Sequence, residues 1–243
     1  MSTLLPSRAD RRHHERSDPH RRASWLSDVI LGGQDGLVNV LGVILGVAAA
    51  SQSQRLVLVA GLAAALAESV SMAAVAYTSS VALGDTYRGE RAREYRHIEA
   101  VPELERSEIR EIYARKGFTG ELLDRIVETI TSNKDVWVAV MMSEEHGLKD
   151  TTVRASLRSA CVVGLASLFG SLLPLGPFAL VPVRAAASAA VVLSAAALFA
   201  LGAYKAKATV GRPWKSGLEL ACIGTVSALL GYATGSIFQV AGL

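Results

Sequence analysis

The 243-residue chain is predicted to be all-α, with five transmembrane helices and a helical cytoplasmic insert between the second and third. Three observations carry this. Apolar runs of about the 20 residues needed to cross a bilayer core recur five times, at roughly Val29 to Ser51, Leu56 to Leu83, Ala155 to Leu173, Phe178 to Ala203 and Ser216 to Val240. Acidic residues are segregated: 15 of the 22 Asp and Glu lie between Asp85 and Asp150, whereas Glu219 is the only one after Ala155. The two stretches therefore suit different solvents. Basic residues follow the cytoplasmic bias of short loops, with Arg8, Arg11, Arg12, Arg16, Arg21 and Arg22 before the first run and Lys205, Lys207, Arg212 and Lys215 in the loop that five spans put on the same side. That places the N-terminus in the cytoplasm.

Residues 1–24 carry little to bury and are expected to form a disordered basic tail near anionic lipid. Its His13, His14 and His20 are left out of the candidate sites. The first run is not a cleaved signal, because Asp28 and Asp35 interrupt it and an Arg-rich stretch precedes it. The first two helices occupy 25–84. In the first, Gly32, Gly36, Gly42 and Gly46 fall in pairs four residues apart and predict close helix packing.

The insert, 85–152, begins where the second span runs without a breaker into Asp85 to Ala100. Pro102 opens a further helix to about Gly117, Thr119 can cap another to about Ser132, and Asp135 starts one that Gly147 stops just after His146. Ile109, Ile112, Leu122, Leu123, Ile126, Val127, Ile130, Trp137 and Val140 recur at helical spacing as its core. The remaining spans fill 153–243, with Pro174, Gly176, Pro177 and Pro182 in a tight non-cytoplasmic turn. Cys161 and Cys222 both fall inside spans, which argues against a disulfide framework or a cysteine metal site.

Asp28, Gly32, Asp35, Gly36 and Asn39 lie on one stripe of the first span. A carboxylate at membrane depth usually faces a pathway or cavity. Asp35 fits that reading, while Asp28 is open to a second one as a helix cap. Glu68 and Met72 stand four apart in the second span, with Ser71 alongside. Carboxylate oxygen with thioether sulphur suits iron(II) better than calcium or magnesium, although methionine also fills cores.

In the insert, Glu90 with Glu94, Glu99 with Glu103, and Glu108 with Glu111 place like charges where helices prefer opposite ones. A cation would relieve them. Glu111 with Arg115 and Glu121 with Arg125 are ordinary opposite pairs, so the solvated-face reading stays open. Glu94 and His97 form a Glu-x-x-His, two copies of which build a di-iron bundle; no second copy occurs. Met141, Met142 and Glu145 can converge from the last helix of the insert.

Four stretches resemble the vacuolar iron transporter family: Asp28-Val-Ile-Leu-Gly-Gly-Gln-Asp35-Gly-Leu, Ser71-Met72-Ala-Ala, the Val101 to Tyr113 segment and the Trp137 to Leu148 segment. The resemblance implies a homodimeric, proton-coupled exporter of cytosolic iron(II), and of manganese(II), with a pathway at the dimer interface beside the first two spans. It implies translocation roles for Asp35 and Met72 and metal-ligand roles for Glu108, Glu111, Met141 and Glu145, with Glu94 and His97 in the region supplying the remaining carboxylates. The sequence departs from the family where a glutamate is usual: Ala64 stands there, Glu68 follows one turn later, and Val75 and Ala76 replace another. Glu68 is expected to substitute for the missing carboxylate.

The expectation is thus a divalent-metal transporter rather than an enzyme. Its pathway holds Asp28, Asp35, Glu68 and Met72, and its insert binds metal through Glu94, His97, Glu108, Glu111, Met141, Met142 and Glu145. No prosthetic group and no nucleic acid are expected; the partners are metal ions, protons, the bilayer and a second copy. Composition favours a bacterial inner membrane over a vacuolar one. Two other readings compete: a membrane-tethered iron oxidase or storage protein, which the single Glu-x-x-His disfavours, and a sensor on passive anchors, which gains nothing from intramembrane carboxylates.

Overall fold

The computed structural model describes residues 23–209 and 211–238. The basic tail up to residue 22 and the end of the last run at Val240 lie outside them. The described residues form nine helices and no strand: α1 Ala23–Ser51, α2 Gln54–Ala100, α3 Pro102–Arg115, α4 Gly120–Thr131, α5 Lys134–Glu144, α6 Val153–Leu172, α7 Gly176–Leu180, α8 Val183–Ala208 and α9 Pro213–Ile237. Five of them, α1, α2, α6, α8 and α9, are long and apolar enough to cross a membrane. The described residues divide into two compact units, one up to Ala76 and from Arg158, the other Tyr77–Leu157.

In the first unit α9 packs on α1 and α8, and α1 also meets α8. Val40, Leu41, Ile44, Leu45 and Ala48 form the buried stripe of α1 and meet Val57 and Ala65 of α2, Phe178, Ala186, Ala190 and Ala228. The spacing is that of one helical face. Lipid removes the hydrophobic drive for helix association, so contact depends on close backbone approach. The glycine pairs supply it at two interfaces. A Cβ at Gly32 or Gly36 would strike the Val163 or Ser167 carbonyl oxygen of α6, while one at Gly231 or Gly235 of α9 would strike the carbonyl of Gly42 or Gly46.

Two boundaries differ from the sequence reading. The fourth spanning helix begins at Val183, not Phe178: Phe178 is buried in the short α7, Val181 is extended, and Pro182 precedes the first turn. Proline pushes the residue before it out of the helical region, which breaks the run there. The Gln54 side-chain amide donates to the Phe178 carbonyl and ties this corner to the start of α2. At the other end, α1 begins at Ala23. Asp28 is therefore more than a turn inside the helix and is not its cap.

The second unit closes around Ile98, Ile109, Ile112, Leu123, Val127, Ile130, Trp137, Val138, Met141 and Met142. Leu122, expected in that core, is 57% exposed. Leu123, Val127 and Ile130 occupy the inward stripe, and one residue back along a helix points about 100° away. Thr119 stands at the N-cap of α4 without making a side-chain cap bond, whereas the Asn133 side chain at the start of α5 accepts from the N–H groups of Asp135 and Val136 at 2.9 and 3.3 Å. α5 ends with the N–H groups of Glu145 and His146 both donating to the Met141 carbonyl. Gly147 then takes φ +61°, the left-handed conformation that glycine tolerates at a helix end.

Candidate metal-handling sites

In the membrane-type unit, Glu68 of α2 lies beside Asp35 and Asn39 of α1, close enough for the side chains to act on one another. Asp35 and Glu68 are half-buried and Asn39 is exposed. Two carboxylates this close repel each other, and a cation between them would relieve that repulsion. Met72, one turn beyond Glu68, and Asp28, two turns before Asp35, are both half-buried. Ala64 packs against the apolar cluster instead of contributing polarity.

The Tyr77–Leu157 unit holds a second constellation. Glu94 on α2 and Glu105 on α3 are each 3% exposed, a rare burial for carboxylates. Each spends one oxygen on a histidine: Glu94 Oε1 lies 3.1 Å from His146 Nε2, and Glu105 Oε1 lies 3.3 Å from His97 Nδ1. The second oxygen of each, Oε2, is buried with no hydrogen-bond partner among the described residues. Such a group is costly unless something pairs with it. Burial, reinforced by the charges of Glu108 and Glu94 and partly offset by His97, pushes the Glu105 carboxyl up to about 7. Burial and then the charges of Glu145, Glu94 and Glu111 raise Glu108 as well.

Glu94, Glu105, Glu108, Glu111 and Glu145 thus act on one another as a single concentration of negative charge, with His97 beside it. Glu111 and Glu145 are exposed and Glu108 half-buried. Met141 and Met142 lie in the apolar core. The pair Glu99 and Glu103 is not held together for a cation: Glu99 pairs with Lys134, which keeps its carboxyl below the usual range. Arg93 pairs with Glu90, Arg110 with Asp124, Lys116 with Glu144 and Arg125 with Glu121 in the manner of ordinary surface ion pairs.

Sequence reasoning passed over Glu105 and His146. Glu105, Ile109 and Ile112 are all buried at spacings of four and three. A carboxylate in the apolar register of an amphipathic helix was the available signal. His146 had none, since its position depends on how α5 terminates.

Residues 26–236 match the sequence pattern of the VIT family. The chain belongs to the VIT family. The match takes in every residue of both constellations. A rice protein (Oryza sativa subsp. japonica) named Vacuolar iron transporter 2 is 35% identical over 228 residues, covering 93% of this chain and 92% of its own. Vacuolar iron transporter 1 of Eucalyptus grandis is 32% identical over 228 residues, 91% of this chain and 92% of that protein. The Arabidopsis thaliana protein of the same name is 32% identical over 229 residues, with 93% and 91% covered.

Proposed function

We propose that this VIT-family protein moves iron(II), and manganese(II) with it, out of the cytosol in exchange for protons, and that the Tyr77–Leu157 unit is a cytoplasmic domain that gathers the ion. The observation that carries the reading is the meeting of Asp35 and Glu68 on two apolar helices. Two carboxyls in low dielectric hold a cation or a proton and exchange one for the other, which is the chemistry proton-coupled transport needs. Relatives matching over nine-tenths of the chain are named vacuolar iron transporters, which supports iron as cargo. Met72 adds the thioether that favours a borderline metal, and Asp28 extends the polar stripe towards the start of α1.

In the gathering domain, Glu94, His97, Glu108, Glu111, Met141, Met142 and Glu145 are the proposed ligand set. Glu105 joins them because its buried oxygen has no other partner. The protein acts as a homodimer with cytoplasmic N-termini, in a bacterial inner membrane in preference to a vacuolar one. The exposed position of Asn39 beside Asp35 and Glu68 supports the dimer, since a polar group on a lipid-facing surface is unfavourable unless a second surface covers it.

The test is metal uptake into proteoliposomes under an imposed pH gradient. Wild type is expected to carry iron(II) and manganese(II) with proton counterflow, Asp35→Ala to abolish transport, and Glu68→Ala to reduce it at least tenfold. Glu108→Ala/Glu111→Ala should weaken transport without abolishing it. Undiminished transport by Asp35→Ala sinks the pathway assignment, and oxygen consumption on adding iron(II) would favour the oxidase reading.

A further inference from the structure

We propose that Glu90, Glu94 and His146 form a further cation position in the Tyr77–Leu157 unit, sharing Glu94 with the gathering set and binding one borderline divalent metal through two carboxylates and an imidazole nitrogen. The proposal rests on reading that unit as a metal-gathering domain, and it adds Glu90 and the His146 nitrogen, which that set lacks.

The geometry supplies the first argument. One ligand atom from each of the three side chains lies within 4.8 Å of the other two. Metal–ligand bonds of about 2.1 Å hold ligand atoms roughly 3 to 4 Å apart. Small side-chain rotations on a fixed backbone therefore suffice to close the site. Glu90 and Glu94 are one turn apart on α2 and project from the same face. His146 is delivered from the other side by the end of α5, where the paired bonds to the Met141 carbonyl and the left-handed Gly147 turn the chain immediately after it.

The second argument is the unpaired oxygen. His146 occupies Glu94 Oε1, and Glu94 Oε2 stays buried with no hydrogen-bond partner among the described residues. A purely structural Glu–His pair has no need of a second carboxylate one turn away. With a divalent ion, both carboxylates face positive charge and the imidazole nitrogen becomes a ligand. Glu90 is paired with Arg93, whose side chain is 49% exposed. That guanidinium can swing into solvent when the ion arrives.

The donor set defines the ligand class. Imidazole suits iron(II) and zinc(II), whereas magnesium and calcium prefer oxygen alone. This corner therefore discriminates against magnesium in a way that carboxylates alone do not.

The test uses full-length protein in detergent with His13, His14, His20 and His97 all changed to Gln, so that His146 is the only histidine. Mn(II) is added, binding is measured by equilibrium dialysis, and pulsed electron paramagnetic resonance reads the nitrogen coupling of a bound imidazole. The expected result is an imidazole coupling that His146→Gln removes, together with the loss of one ion per chain. Glu90→Gln should weaken that ion about tenfold or more. Because Glu90→Gln leaves the His146–Glu94 contact in place, it serves if His146→Gln does not fold. If Mn(II) binds without imidazole coupling, this position is refuted while the gathering reading stands. If the wild-type protein binds no Mn(II), both fall.

Discussion

Glu105 occupies a register reserved for an apolar side chain, and its titration is the consequence. Its folded value of about 7 lies above the ordinary 4.5, so the folded unit holds the proton more tightly than the unfolded chain does. Stability linked to this group is present below about 4.5 and is lost as pH rises towards 7. The raised Glu108 acts in the same direction. In metal-stripped protein the melting temperature should fall between pH 5 and 7.5, and Glu105→Gln should flatten that slope and melt higher at pH 7.5. Identical slopes in the two proteins would contradict the assignment. The same proton must leave before an ion binds, so Mn(II) affinity should climb over this window. Single residues of this kind were partly legible: Asp35 and Glu68 stand out as carboxylates in apolar runs, while Glu105 hides in a charged helix and shows only by its phase.

Among the elements, helix ends were read less well than helix interiors. Thr119 and Asn133 are both acceptable caps by residue type, yet only Asn133 bonds to the following N–H groups. Asn133→Ala should cost about 1 kcal/mol, and Thr119→Ala well under that. Hydrogen exchange in the first turn of α5 should then quicken about fivefold in Asn133→Ala, with that of α4 little changed in Thr119→Ala. Equal effects would mean that the Asn133 bonds do not hold the helix start. The break at Pro182 follows from a property of proline present in the sequence, but Phe178 extended the apolar run across it. Packing the phenylalanine inward made a separate short helix of that segment.

For the molecule as a whole, apolar surface is the dominant feature. The spanning window of α2 is 17% buried, the least of the five, and Val59, Leu62, Leu66 and Val70 project from it. Spacings of three, four and four keep them on one face. In a two-fold dimer a residue near the axis meets its own copy. With Cys161 and Cys222 replaced by serine, Leu66→Cys should therefore form disulfide-linked dimers in native membranes. Phe169→Cys on α6, 70% exposed, should not cross-link. Dimers from Phe169→Cys with none from Leu66→Cys would move the proposed interface off α2.

Fold class, the five spanning helices and the segregation of acidic from apolar chain follow from sequence alone. Each is a local regularity: a bilayer demands runs of a set length, and a helix repeats its face every 3.6 residues. Contacts between distant residues obey no such period. Glu68 meeting Asp35, His146 meeting Glu94 from 52 residues away, and the paired burial of Glu94 and Glu105 arise only when helices pack. Burial and proximity set what a carboxylate can bind, so the chemistry of both constellations was decided by tertiary structure.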